Sequence, residues 1–182
     1  MSTASQISIL SCVLLAGSVT AAPDDVPVLT VCEALNDLPR FDGKSVIVVG
    51  RYGASDEGSW LNEDCGLKIV NGGQEFKPLI SISYPISEFA APPQRPSGFK
   101  WDERLLQEKL EQVKRTTSLR VYKELNYSDQ WFAIFGRLET QLPRKVSIGN
   151  GRDGYTTGFG HLSGAPAQLV SPTDGYHPLN RK

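Results

Sequence analysis

The chain is poor in the side chains that carry metal and sulfur chemistry: its 182 residues include 2 histidines, 3 cysteines and 1 methionine. No CxxC, HExxH or calcium-loop pattern occurs, so no metal site with a known ligand spacing is read. Ser163 and Ser171 stand outside any GxSxG turn, which removes the usual strained hydrolase nucleophile. The stretch IGNGRDG, residues 148–154, lacks the strand-to-helix setting of a phosphate loop. An excess of one charge is also missing, since 19 Lys and Arg face 20 Asp and Glu for a formal net charge of −1. That leaves no strong field to gather a polyanion, and no nucleic-acid partner is expected. No apolar run reaches the roughly 20 residues of a permanent membrane-spanning helix. No catalytic residue, metal or cofactor is assigned on this basis.

What is present begins with an uncharged stretch. Ile7 to Val19, ISILSCVLLAGSV, is apolar or small and is followed by TAA and then PDD. This is the pattern of a short leader core ahead of small residues that a signal peptidase reads. Residues 1–21 are therefore read as a signal peptide cleaved after Ala21, although no Lys or Arg precedes the core. A buried core helix is the other reading, but Gly17, Val19, Thr20 and Pro23 would end it badly. Removing the leader takes Cys12 with it and leaves Cys32 and Cys65, an even count that in an exported chain predicts a disulfide. A reactive Cys65 thiolate is disfavoured by the like charge of Glu63 and Asp64 beside it.

Residues 22–29 read as a proline-containing linker. In TVCEALNDLPRFDGK, Thr30 and Glu33 have the spacing of a capping box over a short helix that Pro39 limits. SVIVVGRYGAS, at 45–55, reads as the first strand, and WLNEDCGLKIV, at 60–70, as a second interrupted around Asn62 to Gly66. The turn signal NGG precedes PLISISYPI, where Leu79 or Ile80 alternate with Ser81 and Ser83 in a third strand. Residues 101–124 carry Trp101, Leu105, Leu106, Leu110 and Val113 at near-helical spacing, with charged residues on the other face. QWFAIFGRLETQL gives a fourth strand and AQLV a fifth, and residues 172–182 read as a flexible tail.

The expected fold is therefore mainly β with one main α-helix: a five-stranded Greek-key barrel with that helix between strands three and four, plugging one end, spanning residues 30–171. This is the element order of the OB-fold. The segments CEALNDLPRFDGKSVIVVGRY, FGRLE at 135–139 and GFGHLSGAPAQLV at 158–170 resemble OB-like domains of small, largely uncharacterised exported bacterial proteins. The resemblance covers roughly residues 30–171 and carries no catalytic residue with it. It implies a ligand face on strands two and three and on the loops after strands one and four, here GASDEGSW and residues 142–164.

Candidate ligand-binding residues on those segments are Trp60, Tyr155 and His161. Trp60 reads either as a core or rim aromatic or as a platform for a sugar ring. His161 lies among Gly158, Gly160 and Gly164, where backbone approaches closely, and either orients a ligand or bonds a neighbouring loop. Arg144, Lys145, Arg152 and Tyr155 make a mildly basic aromatic loop of the kind single-stranded nucleic-acid binders use, which export and near-zero charge set aside. The leading reading is an exported, non-enzymatic binding or structural module, periplasmic or extracellular, whose partner is an unknown protein or small molecule. The alternative is a metal-dependent or hydrolytic enzyme using His161 with Asp56, Glu57, Glu63 or Asp64. Protein recovered from outside the cytoplasm is predicted to begin at Ala22 and to resist thiol alkylation until reduced. Intact-mass measurement that finds a retained leader, or two thiols alkylated without reductant, contradicts this.

Overall fold

Four consecutive apolar residues, Val46 to Val49, break the alternation of a strand with one wet face, as a strand covered on both sides requires. The computed structural model describes residues 26–56, 58–66, 68–71, 74–83, 91, 93–116, 130–140, 144–147, 153–156, 158–160 and 164–179; the leader at 1–21 lies outside them. In chain order these form β1 (Val28–Thr30), α1 (Val31–Asn36), α2 (Leu38–Phe41), β2 (Ser45–Ser55), β3 (Gly58–Asn62), β4 (Ile69–Asn71), β5 (Gln74–Phe76) and β6 (Leu79–Ser83). They continue with α3 (Glu103–Thr116), β7 (Trp131–Thr140), β8 (Arg144–Ser147), β9 (Asp153–Thr156), β10 (Ala167–Val170) and β11 (Tyr176–Leu179). The order β2-β3-β6-β10-β7 closes through a β2–β7 pairing into a five-stranded barrel, mixed because β6 and β10 run parallel. Among the described residues no helix is long and apolar enough to cross a membrane.

The two faces of β2 feed different cores. Val46 and Val48 point inward with Leu61, Ile80, Ile82, Ile134, Leu138 and Leu169. Ile47 and Val49 point outward, where they meet Leu106, Leu110 and Val113 of α3 beside Trp131 and Phe135 of β7. Each of the three α3 side chains is fully buried, worth about 1.5–3 kcal/mol apiece. The expected helix thus exists but does not plug the barrel: it lies on the outer wall, because that wall carries its own apolar stripe. The barrel interior is closed instead by the short leading helices, whose Val31, Ala34, Leu35 and Phe41 join the inner cluster. Gly50 makes room for them, since a Cβ there would stand 2.8 Å from Val31 Cγ2. The periodicity extends the helix to residue 124; it is described to Thr116, and residues 117–124 lie outside the described set.

Three boundaries differ from those read in the sequence. WLNEDCGLKIV is two separate strands, with β4 folding back on β5 as its own hairpin while β3 stays in the barrel. The linker at 22–29 ends in β1, parallel to β2 at Val28–Ile47. The tail after 171 contains β11, antiparallel to β7. Its Leu179 is buried in the outer core, and Pro178 is tolerated because this is an edge strand. His177 stacks on Trp101 at 4.9 Å and lies 3.1 Å from a Glu103 oxygen.

A six-residue helix does not hold itself together in water, so α1 needs external ties. Cys32 and Cys65 form the expected disulfide across a separation of 33 residues. The Thr30 hydroxyl accepts from the Glu33 N–H at 3.2 Å, and the Glu33 carboxylate accepts from the Thr30 N–H at 2.8 Å. Glu33 also pairs with Lys109 of α3 at 2.6 Å and accepts from Gln112 at 3.2 Å. Glu63, 1% exposed, accepts from the Cys32 N–H at 2.8 Å and from the Thr116 hydroxyl at 2.7 Å. Both carboxylates therefore link the barrel plug to the outer helix.

Replacing Cys32 and Cys65 together by alanine is predicted to destabilise the protein by roughly 3–4 kcal/mol in denaturant titration, from loop closure alone; a loss below ~1 kcal/mol contradicts it. Burial works to raise the Glu33 carboxyl pKa, but hydrogen bonds from Lys109, Thr30 and Gln112, with the Lys109 charge, hold it below its ordinary value. The folded state then binds fewer protons at Glu33 than the unfolded chain in mild acid. The stability Glu33 contributes is present above the ordinary carboxyl pKa and is lost as pH falls through the lowered one. Glu33→Gln should therefore be less stable than the wild type near neutral pH, with the gap closing in strong acid. An unchanged gap across that range contradicts the account.

Candidate ligand-binding face

Strand alternation dictates which side chains reach the outer wall of the barrel. Leu61, Ile80, Ile82, Leu138, Ala167 and Leu169 all belong to the inner cluster. Their neighbours Trp60, Ser81, Glu139 and Gln168 therefore project outward. Pairing register lines these four up: Trp60 opposes Ser81, Ser81 opposes Gln168, and Gln168 opposes Glu139. They form one row across β3, β6, β10 and β7, about 14 Å long from three strand spacings. All four are half-buried.

The row is held from one end. Arg137, two residues before Glu139 on the same face, donates to Glu139 Oε1 from Nε at 3.1 Å and Nη2 at 2.8 Å. Its Nη1 donates to the Ala91 carbonyl at 3.2 Å. Gln168 Nε2 donates to the other Glu139 oxygen at 2.7 Å. The carboxylate is thus fixed in place and its charge is met by one guanidinium. Phe159 and Ala165 pair in an isolated antiparallel bridge beside the row. Gly160 takes φ of 70° there, and a Cβ on it would stand 2.9 Å from Ser81 Oγ. The backbone of residue 160 therefore rests against the row, one strand from Trp60.

Of the residues singled out in the sequence, Trp60 lies in this row. His161 is outside the described residues. Tyr155 lies on β9, opposite Lys145 in the β8–β9 hairpin. The carboxylates proposed for an enzyme separate: Asp56 is exposed at the β2–β3 turn, whereas Glu63 is buried at the far end of β3. Glu63 is a structural acceptor rather than part of an acidic loop, and Glu57 lies outside the described residues. Ser81, Gln168, Glu139 and Arg137 are the residues that sequence reading passed over. The signal was there in the alternation of AQLV and FGRLE, but only register shows that these positions meet.

A concavity of about 400 Å³ lies elsewhere, between Val26, Val28, Ile47, Phe99 and Leu105. Its walls are the apolar seam under α3, and Asp102 at its rim already caps the helix by accepting from the Leu105 N–H at 2.9 Å. Ser97, Lys100 and Asp102 supply its polar lining, whereas the row on β3, β6, β10 and β7 sets an indole, a hydroxyl, an amide and a carboxylate in register on one face. Comparison with protein-family models, curated proteins and solved structures finds no match for this chain.

Proposed function

We propose that the chain is an exported, non-enzymatic OB-type binding module whose ligand lies across the outer face of β3 and β6. The observation that carries this reading is that Trp60 and Ser81 stand opposite each other on one outer face, with the Gly160 backbone against Ser81. The OB assignment is supported by the closed order β2-β3-β6-β10-β7, the parallel β6–β10 pair, and the position of α3 in the chain between β6 and β7. In this reading α1 and α2 take over the plugging role and free α3 to cover the outer wall. Export is supported by the leader pattern and by the disulfide, a bond that persists in oxidising compartments.

Screening a library of polar fragments against isotope-labelled protein tests the site. Amide shifts are predicted to concentrate at residues 59–61, 80–82, 158–160 and 167–169, and Trp60→Ala should weaken the best binders roughly tenfold, about 1.4 kcal/mol. Hits clustering around Val26 and Phe99 instead, indifferent to Trp60, contradict the assignment.

A further inference from the structure

We infer that the cavity between β1, the segment 96–102 and the first turn of α3 binds a single alkyl chain ending in a carboxylate. This site is separate from the row on β3, β6, β10 and β7, and it does not depend on that reading. The most buried lining residue is Ile47 of β2, 3% exposed, and Val26, Val28, Pro96, Phe99 and Leu105 stand around it, each half-buried. Folding thus leaves apolar side chains partly wet in a concave place, where an alkyl chain would take them out of water. A volume of about 400 Å³ lies near the lower end of the range of small-molecule sites, about 300–1,000 Å³. The occupant is therefore one slender chain and not a folded partner.

The wall at 96–99 is preformed. The Phe99 N–H donates to the Pro96 carbonyl at 3.0 Å, and Gly98 takes φ of 77°, which closes a four-residue turn whose third position favours glycine. The Phe99 ring meets Trp101 edge-on at 5.1 Å and lies 5.4 Å from Phe135, with the Arg95 guanidinium 5.3 Å over its centre. Little side-chain freedom is lost when a ligand rests against a ring already held on three sides.

Charge at the mouth selects the head group. The polar side chains of the lining are Ser97, Lys100 and Asp102. Asp102 is spent on α3, accepting from the Leu105 N–H at 2.9 Å at the helix end where negative charge is favoured. The nearby cations Arg95 and Arg104 pair with Asp174 and Glu108. Lys100 is exposed and enters no ion pair among the described residues. A carboxylate beside Lys100, with its chain running in toward Ile47, satisfies both the ammonium and the apolar walls.

Other occupants fit less well. A cationic amphiphile would bring like charge to Lys100. A peptide strand added to β1, an edge of the sheet, finds only three residues to pair with, preceded by Pro27, which has no N–H to donate. A polyanion would find one free cation where it needs many.

The test is an NMR titration of the mature, oxidised protein with hexanoate, octanoate and decanoate, and with decyltrimethylammonium, all below their micelle concentrations. Amides of residues 26, 28, 47 and 97–100 should shift saturably with the carboxylates, and affinity should rise about threefold to fourfold for each added methylene that the cavity takes in. Decanoate should bind more tightly than decyltrimethylammonium. Lys100→Gln should weaken decanoate about twofold to fivefold, the worth of an exposed ion pair, and Val26→Asp should remove the saturable shifts. Lys100 is exposed, so its variant leaves the cores intact and the result does not hinge on folding of the Val26 variant. Equal binding of the cation, with Lys100→Gln indifferent, overturns the carboxylate. Carboxylates that shift residues 59–61, 80–82 and 167–169 instead overturn this site and leave the polar row standing. Cavity amides that ignore every probe overturn the inference outright, and if they move on dilution of the protein alone the occupant is a second copy of the chain.

Discussion

The fold depends on one strand being buried on both of its faces. β2 supplies Val46 and Val48 to the barrel interior and Ile47 and Val49 to the core beneath α3. It also closes the ring by pairing with both β3 and β7. Its neighbours are placed against it: the plug helices on its inner face at Gly50, α3 on its outer face, and β1 along its flank. The candidate ligand row lies on β3, β6, β10 and the end of β7 beyond Phe135, where the outward side chains are Trp60, Ser81, Gln168 and Glu139 and, among the described residues, no helix packs.

This division explains why the outer wall has two characters. Where β2, β7 and β11 carry Ile47, Val49, Trp131, Phe135 and Leu179 outward, hydrophobic burial brings α3 down onto them. Where β3, β6 and β10 carry Trp60, Ser81 and Gln168 outward, that driving force is weaker, the three side chains are half-buried, and the Gly160 backbone rests against Ser81. β7 changes character along its own length, apolar outward up to Phe135 and charged outward from Arg137. The polar ties at Glu33 and Glu63 then join the plug to α3, so that the two cores share one set of fastenings together with the disulfide.

Much of this was legible from local sequence. The β-branched run at Val46 to Val49, the capping spacing of Thr30 and Glu33, the apolar stripe of Leu106, Leu110 and Val113, and the even pair of cysteines each have a local physical cause. What local pattern could not show was placement. The four unbroken apolar residues hinted at two covered faces, but which helix covers which face depends on pairing between strands distant in sequence. β11 was missed for a similar reason, since YHPL contains a proline and a histidine and becomes a strand only by docking beside Trp131 and Trp101. The candidate site was half legible: Trp60 stood out by itself, while Ser81, Gln168 and Glu139 acquire meaning only from register.

Two-sided burial of β2 is most directly measured by truncating one side chain on each face and comparing unfolding free energies. Val48→Ala removes methyl groups from the barrel interior, and Ile47→Ala removes them from beneath α3. Both should be clearly destabilising, with Ile47→Ala losing about 2–5 kcal/mol. An Ile47→Ala protein within about 0.5 kcal/mol of the wild type would mean an uncovered outer face, and would contradict the placement of α3 on which the rest of the architecture stands.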